Sequence, residues 1–215
     1  MASEIYGVEC GGRQPLLLEA ETVVNAAIAD NPHADIYAAI GSSVDLPLVR
    51  PHFQIVPGVL TKGIYRPSEH PDPDIIAELV SRATEIRSRR WHVGEQRVRP
   101  LPRDWRELMV AAYPQIPRAV EWTSGWADLM IAATAWINES ETDWKFSDAK
   151  EKMGSLRLST HGINTIGGEQ IIDAAEHLGS FICQVCGGPG DQGGDFMTLC
   201  LEHREDKEWR KTGHV

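Results

Sequence analysis

Four residues in the C-terminal part of the chain constrain its fold most: Cys183-x-x-Cys186 and, after a 13-residue spacer, Cys200-x-x-His203. A Cys-x-x-Cys turn places two thiolates on one ion, and the second pair supplies two further ligands. Three thiolates and an imidazole suit zinc, which takes four such ligands in a tetrahedron with Zn–S near ~2.3 Å. Gly187-Gly188 follow Cys186, so the backbone is free to turn tightly and direct amides at sulfur. A redox Cys-x-x-Cys needs its first cysteine at a helix N-terminus, and these glycines oppose a helix. A disulfide would strand an odd thiol beside it. The spacing therefore predicts Zn²⁺ held by Cys183, Cys186, Cys200 and His203. With all four positions filled the ion is expected to be structural, and to fold a segment of about 35 residues too short for a core of its own. His161 and His177 are reserve ligands. The remaining cysteine, Cys10, reads as a buried or idle thiol.

The composition bounds the class. Of 215 residues 42% are hydrophobic and 24% charged, which excludes a disordered or low-complexity chain. No apolar run approaches the roughly 20 residues of a membrane span, and Met1-Ala2-Ser3-Glu4 opens with an acid. These features predict a cytoplasmic protein with no membrane contact. The net charge of −10 is unevenly spread: −7 over residues 1–80, +5 over 81–120 and −8 over 121–215. Such a field repels nucleic acid over the Debye length and favours a protein or small-molecule partner.

Periodicity outlines the elements. Leu16, Leu17, Val23, Val24, Ala27 and Ile28 predict a helix over 15–30. Six prolines between Pro47 and Pro73 predict extended pieces and turns, with enough apolar residues to pack. Asp74 opens a second helix, with Ile76, Leu79, Val80 and Ala83 on one face. Pro102 and Asp104 start a third, running to Ala112. Ser124 is expected to cap a fourth, carrying Trp126, Leu129, Met130, Ala133 and Ile137. Met153-Gly154-Ser155 predicts a hairpin turn followed by alternating Leu156 and Leu158, and a fifth helix follows Gly168. Asp195–Leu199 reads as a hairpin arm ending at Cys200, with residues 201–212 helical and His203 in their first turn. The expected class is α+β, with helices packed on a small antiparallel sheet. The expected organisation is a helical, proline-rich region at 1–120, helix and hairpin at 121–180, and the metal segment at 181–215.

Gly125-Trp126-Ala127-Asp128-Leu129, then Lys150-Glu151-Lys152-Met153-Gly154-Ser155-Leu156-Arg157-Leu158, then Cys183-x-x-Cys186-Gly187 and Leu199-Cys200-x-x-His203 occur in that order. The arrangement resembles a group of uncharacterised bacterial and phage proteins with a Gly-Trp helix, a Lys-Glu-Lys-Phe-Gly-Gly-Leu-Arg-Phe hairpin and a terminal zinc knuckle. The likeness covers about residues 122–205, and departs from the pattern at Met153, Ser155 and Leu158. It implies a mobile-element origin and no particular reaction. Knuckle, hairpin and helix in succession also resemble a treble-clef zinc finger.

Two basic features suggest a partner surface. Arg82, Arg87, Arg89, Arg90, Arg97, Arg99, Arg103 and Arg106 fall within 25 residues, with no lysine among them and with Trp91 and Trp105 interleaved. Arginine forks suit carboxylates and phosphates, although the acidic flanks of the same chain could absorb them. Lys150, Lys152 and Arg157 lie adjacent or opposite on the hairpin, as an anion clamp or as a charged edge that resists strand pairing. Arg87, Arg89, Arg90, Arg97, Arg99, Lys150, Lys152 and Arg157 are thus the expected partner-binding residues. The reading is a non-enzymatic, zinc-stabilised interaction protein from a phage or prophage. Its partner would be an acidic or nucleic-acid-processing host complex, such as a defence complex, which it inhibits. The enzyme alternative is a metal-dependent nuclease or nucleotide-processing activity, with Asp148-Ala149-Lys150 as half of a site and Asp74 or Asp143 as the other carboxylate. Neither a histidine base on the final hairpin nor a Gly-Lys phosphate loop supports it.

Overall fold

The computed structural model describes residues 14–29, 34–43, 50–57, 71–193 and 196–206. In chain order the helices are α1 (Gln14–Ile28), α2 (Pro73–Ser88), α3 (Trp105–Ala112), α4 (Ala127–Ile137), α5 (Ile166–Leu178) and α6 (Leu201–Glu205). The strands are β1 (Ala34–Ser43), β2 (Arg50–Pro57), β3 (Trp91–His92), β4 (Arg97–Val98), β5 (Lys145–Lys152), β6 (Ser155–His161), β7 (Asp191–Gln192) and β8 (Thr198–Leu199). The chain is thus α+β. The strands form four separate antiparallel pairs among the described residues, not the single small sheet expected. The proline-rich stretch contributes β2, whose Phe53 packs against the core. Its Pro47, Val59, Leu60, Ile64, Tyr65 and Pro67 lie outside the described residues, as do Cys10, Asp195 and positions 207–212 of the expected last helix.

The helix ends follow local chemistry. Pro73 sits in the first turn of α2, and the Asp72 carboxylate accepts from the Asp74 amide at 2.9 Å. The fifth helix begins two residues before Gly168, because the Thr165 hydroxyl accepts from the Gly168 amide at 3.1 Å and so caps it. Ser124 does not cap α4 directly: it lies in a 3-10 turn, Ser124–Trp126, that leads into the helix.

Helix α2 packs against α1, α4 and α5, and α5 also packs against α4 and β6. Leu16, Leu17, Ile76, Leu79, Met130, Ile137 and Leu178 are among the buried side chains, each contributing on the order of 1.5–3 kcal/mol of burial. The hydrophobic core runs from Ala20 to Ile182 without a break at residue 120. In the long hairpin Met153 and Gly154 have φ of 54° and 81°, the left-handed pair that a two-residue turn demands. The register sets Ala149 opposite Leu158, and Phe146, Ala149, Leu156 and Leu158 are all buried. The outer edge of β5 is not left to solvent. The Phe146 amide donates to Gln115 at 3.0 Å, and the Glu151 amide donates to Glu121 at 2.8 Å. No helix of the described residues is long and apolar enough to cross a membrane.

Candidate metal centre

The four residues singled out from the sequence converge. One ligand atom from each of Cys183, Cys186, Cys200 and His203 lies within 4.8 Å of the others. Cys186 Sγ stands 3.9 Å from Cys200 Sγ, and His203 Nδ1 lies 3.8 Å from Cys183 Sγ and 3.0 Å from Cys200 Sγ. A tetrahedron with metal bonds of about 2.0–2.3 Å has edges of roughly 3.3–3.8 Å. The donor set therefore fits a single ion, and Nδ1 is the histidine nitrogen that faces it.

Local backbone explains the convergence. The Cys183 amide donates to Gly188 at 2.7 Å and the Gly187 amide donates back to Cys183 at 2.9 Å, closing the knuckle. Gly187 has φ of 75°, a left-handed conformation open to glycine. The Gly188 amide points at Cys186 Sγ, 3.4 Å away. The β7–β8 pair then returns the chain to Cys200, and α6 presents His203 in its first turn. For Cys183 and Cys186 the hydrogen bond between the two thiols comes first in setting acidity. It lowers Cys183 to about 5 despite burial, with help from backbone amides, and it raises Cys186 in return.

The knuckle is fastened to the helical body by the Gly-Trp segment. The Gly125 amide donates to Gln184 at 2.8 Å, and the Thr123 hydroxyl donates to the same carbonyl. Ser124 Oγ reaches Val185 at 3.2 Å, and the Trp126 indole donates to Ile182 at 2.9 Å. A Cβ on Gly125 would stand 2.1 Å from the Cys183 carbonyl oxygen, so only glycine allows this approach. On the other side the hairpin turn meets the knuckle, where the Thr198 hydroxyl donates to Gly154 at 2.7 Å. The three sequence motifs from Gly125 to His203 are thus one contiguous unit.

The basic residues divide. Arg87 is 9% exposed, pairs with Glu19 and reaches the Cys186 carbonyl at 3.4 Å. Arg90 forks onto buried Asp128 with two contacts of 2.7 Å. Both are therefore held by the chain's own carboxylates. Arg89 stands 60% exposed beside Glu85, and Arg97 pairs with Glu95 at 2.6 Å in solvent. Arg99 and Lys152 are exposed. Lys150 pairs with Asp148, and Arg157 lies 3.7 Å from Glu176. Sequence reasoning missed Glu19 and Asp128, though a lone acid in the apolar run of α4 was a signal for the second.

Among the described residues no second cluster of three or more His, Cys, Asp or Glu side chains gathers. Asp148, Asp143 and Asp74 thus form no such group. His177 contacts the Ala27 carbonyl at 2.8 Å and does not belong to the cysteine–histidine group. No family model, curated protein or solved structure matches this chain.

Proposed function

We propose that the chain is a non-enzymatic interaction protein, built around a structural zinc centre of treble-clef type, that offers exposed arginines to an acidic protein partner. The observation that carries the reading is the centre itself. Three thiolates favour zinc over hard Mg²⁺, and four protein ligands leave no position for a substrate or an activated water. The ion's role is then to hold Cys183 to His203 against the Gly125 segment. The partner face consists of Arg89, Arg97 and Arg99, with Lys152 and Arg157 on the hairpin as a second basic site. Arg87 and Arg90 support that face from within, since their forks are committed to Glu19 and Asp128. The resemblance to bacterial and phage proteins supports a mobile-element origin alone; the class of partner we infer is a host defence or nucleic-acid-processing complex, and the outcome inhibition.

The test is capture from bacterial lysate by zinc-loaded protein, compared with Arg89→Glu combined with Arg97→Glu. The wild type should retain an acidic protein that salt releases, and the variant should lose it with its melting temperature within a degree or two. Equal retention by both would refute the arginine face. Cleavage of DNA or RNA with Mg²⁺, abolished by Asp148→Ala, would replace the reading with the nuclease.

A further inference from the structure

A cleft of about 370 Å³ opens where the β3–β4 pair, the end of α2 and the knuckle meet, a size within the range of small-molecule sites. Trp91, Arg97, Arg99 and Leu101 form one part of its lining, and Cys186, Glu202 and His203 another. Arg99 is held firmly at its backbone. Its amide donates to the Arg90 carbonyl at 2.9 Å, and its carbonyl accepts from Arg90 Nε at 3.1 Å. Arg90 is itself locked on Asp128. The Arg99 guanidinium, by contrast, makes no ion pair among the described residues. Its neighbour Arg97 is tied only to Glu95, in a solvent-exposed contact of the weak, exchangeable kind.

The lining also holds two carboxylates, Glu19, which is committed to Arg87, and Glu202. The unpaired fork of Arg99 and the exchangeable one of Arg97 stand two residues apart on the same side of the lining, so a ligand that engages both must bring several oxygens on one small group. A terminal phosphate brings three, in a geometry that guanidinium forks match. Trp91, Val98 and Leu101 supply an apolar and aromatic flank for an organic moiety.

We propose that this cleft binds a small phosphate-bearing organic molecule of nucleotide size, with Arg97 and Arg99 on the phosphate. The site goes beyond the protein-partner reading and requires no partner. Because Cys186 and His203 belong to its lining, ligand and metal are coupled: the ligand binds the metal-loaded fold, and by linkage it slows removal of the metal. Glu202 makes no ion pair among the described residues and opposes the anion from across the cleft.

The probe is ADP, titrated by calorimetry into zinc-loaded full-length protein, with inorganic phosphate and citrate in parallel. ADP should bind more tightly than phosphate, and citrate least. Arg99→Ala should weaken ADP about tenfold or more with zinc content and melting temperature unchanged, Arg99→Lys should weaken it less, and Glu202→Gln should tighten it. ADP should also slow extraction of zinc by a chelator. No binding at ~1 mM ADP, an affinity unmoved by both Arg99 variants, or citrate binding as tightly as ADP would overturn the assignment. Should Arg99→Ala lose zinc, Arg99→Lys and Glu202→Gln decide the matter by their opposite signs. An acidic protein captured without ADP binding would leave the partner reading standing and this one fallen; ADP binding without capture would do the reverse.

Discussion

The helical body and the knuckle are held by different forces. In the body, α1, α2, α4 and α5 bury Leu16, Leu17, Leu79, Met130, Ile137 and Leu178 against one another, and apolar contact alone accounts for much of its cohesion. From Cys183 to His203 few large apolar side chains are buried, Leu199 among them, while Phe196 and Leu201 are 65% and 70% exposed. This segment is kept in place by hydrogen bonds to Gly125, Trp126 and Gly154, and by four convergent ligands. The body buries an apolar core of its own, whereas the knuckle's buried apolar side chains are few among the described residues.

The largest expected effect breaks the comparison at the metal. Cys186→Ser should lower the zinc content from about one per chain to near zero, removing a contribution on the order of 10 kcal/mol for sites of this kind. Amide exchange should then become fast from residue 183 to 206 while α2 and α4 stay protected. Loss of protection throughout the helices would mean that knuckle and body are one cooperative unit. Retention of a metal would overturn the ligand assignment.

A smaller effect is expected at the seam between the two regions. Gly125→Ala would drive its Cβ to 2.1 Å from the Cys183 carbonyl oxygen and 2.4 Å from the Gln184 carbonyl carbon. Both neighbours are backbone, so the knuckle has to shift. Such overpacking costs about 1–3 kcal/mol, or roughly 2–10 °C in the melting temperature of a chain this size. Zinc should also be extracted faster by a chelator, since Cys183 is displaced. An unchanged melting temperature together with unchanged extraction would show that the Gly125 contact does not position the metal site.

The same division explains what was legible in the sequence. The metal ligands come in two local pairs with a known spacing, and the apolar faces of α1, α2 and α4 repeat within single helices; both signals are short-range. The pairs Arg87–Glu19 and Arg90–Asp128 join residues 68 and 38 positions apart, and no local pattern announces them. The β3–β4 pair is only two residues per strand, too short for alternation to register. The hairpin edge was legible as a charged strand, but its cover by Gln115 and Glu121 depends on how distant segments pack. Gly125-Trp126 was visible as a motif, while its purpose emerged only from its contact with Cys183 and Gln184.

The smallest expected effect sharpens the comparison by pH, at a polar contact inside the body. Glu141 is 8% exposed and accepts from the Asn164 and Thr165 amides at 3.1 and 2.8 Å, which fixes the loop that starts α5. The hydrogen bond from the Thr165 side chain, followed by those two amides, holds the carboxyl below its ordinary range against the opposing effect of burial. A carboxyl depressed in the folded state contributes stability above its unfolded value of about 4.3 and loses it as pH falls through the lower folded value. Glu141→Gln should therefore melt below wild type at pH 7, and the gap should close as the pH drops below about 4. The knuckle has its own acid limit, because thiolates must lose their protons to bind metal. The comparison is accordingly made on the amide exchange of Asn164 and Gly168, which reports the start of α5. A gap at those amides that stays constant from pH 7 to pH 3 would show that the Glu141 charge plays no part in fastening the helix.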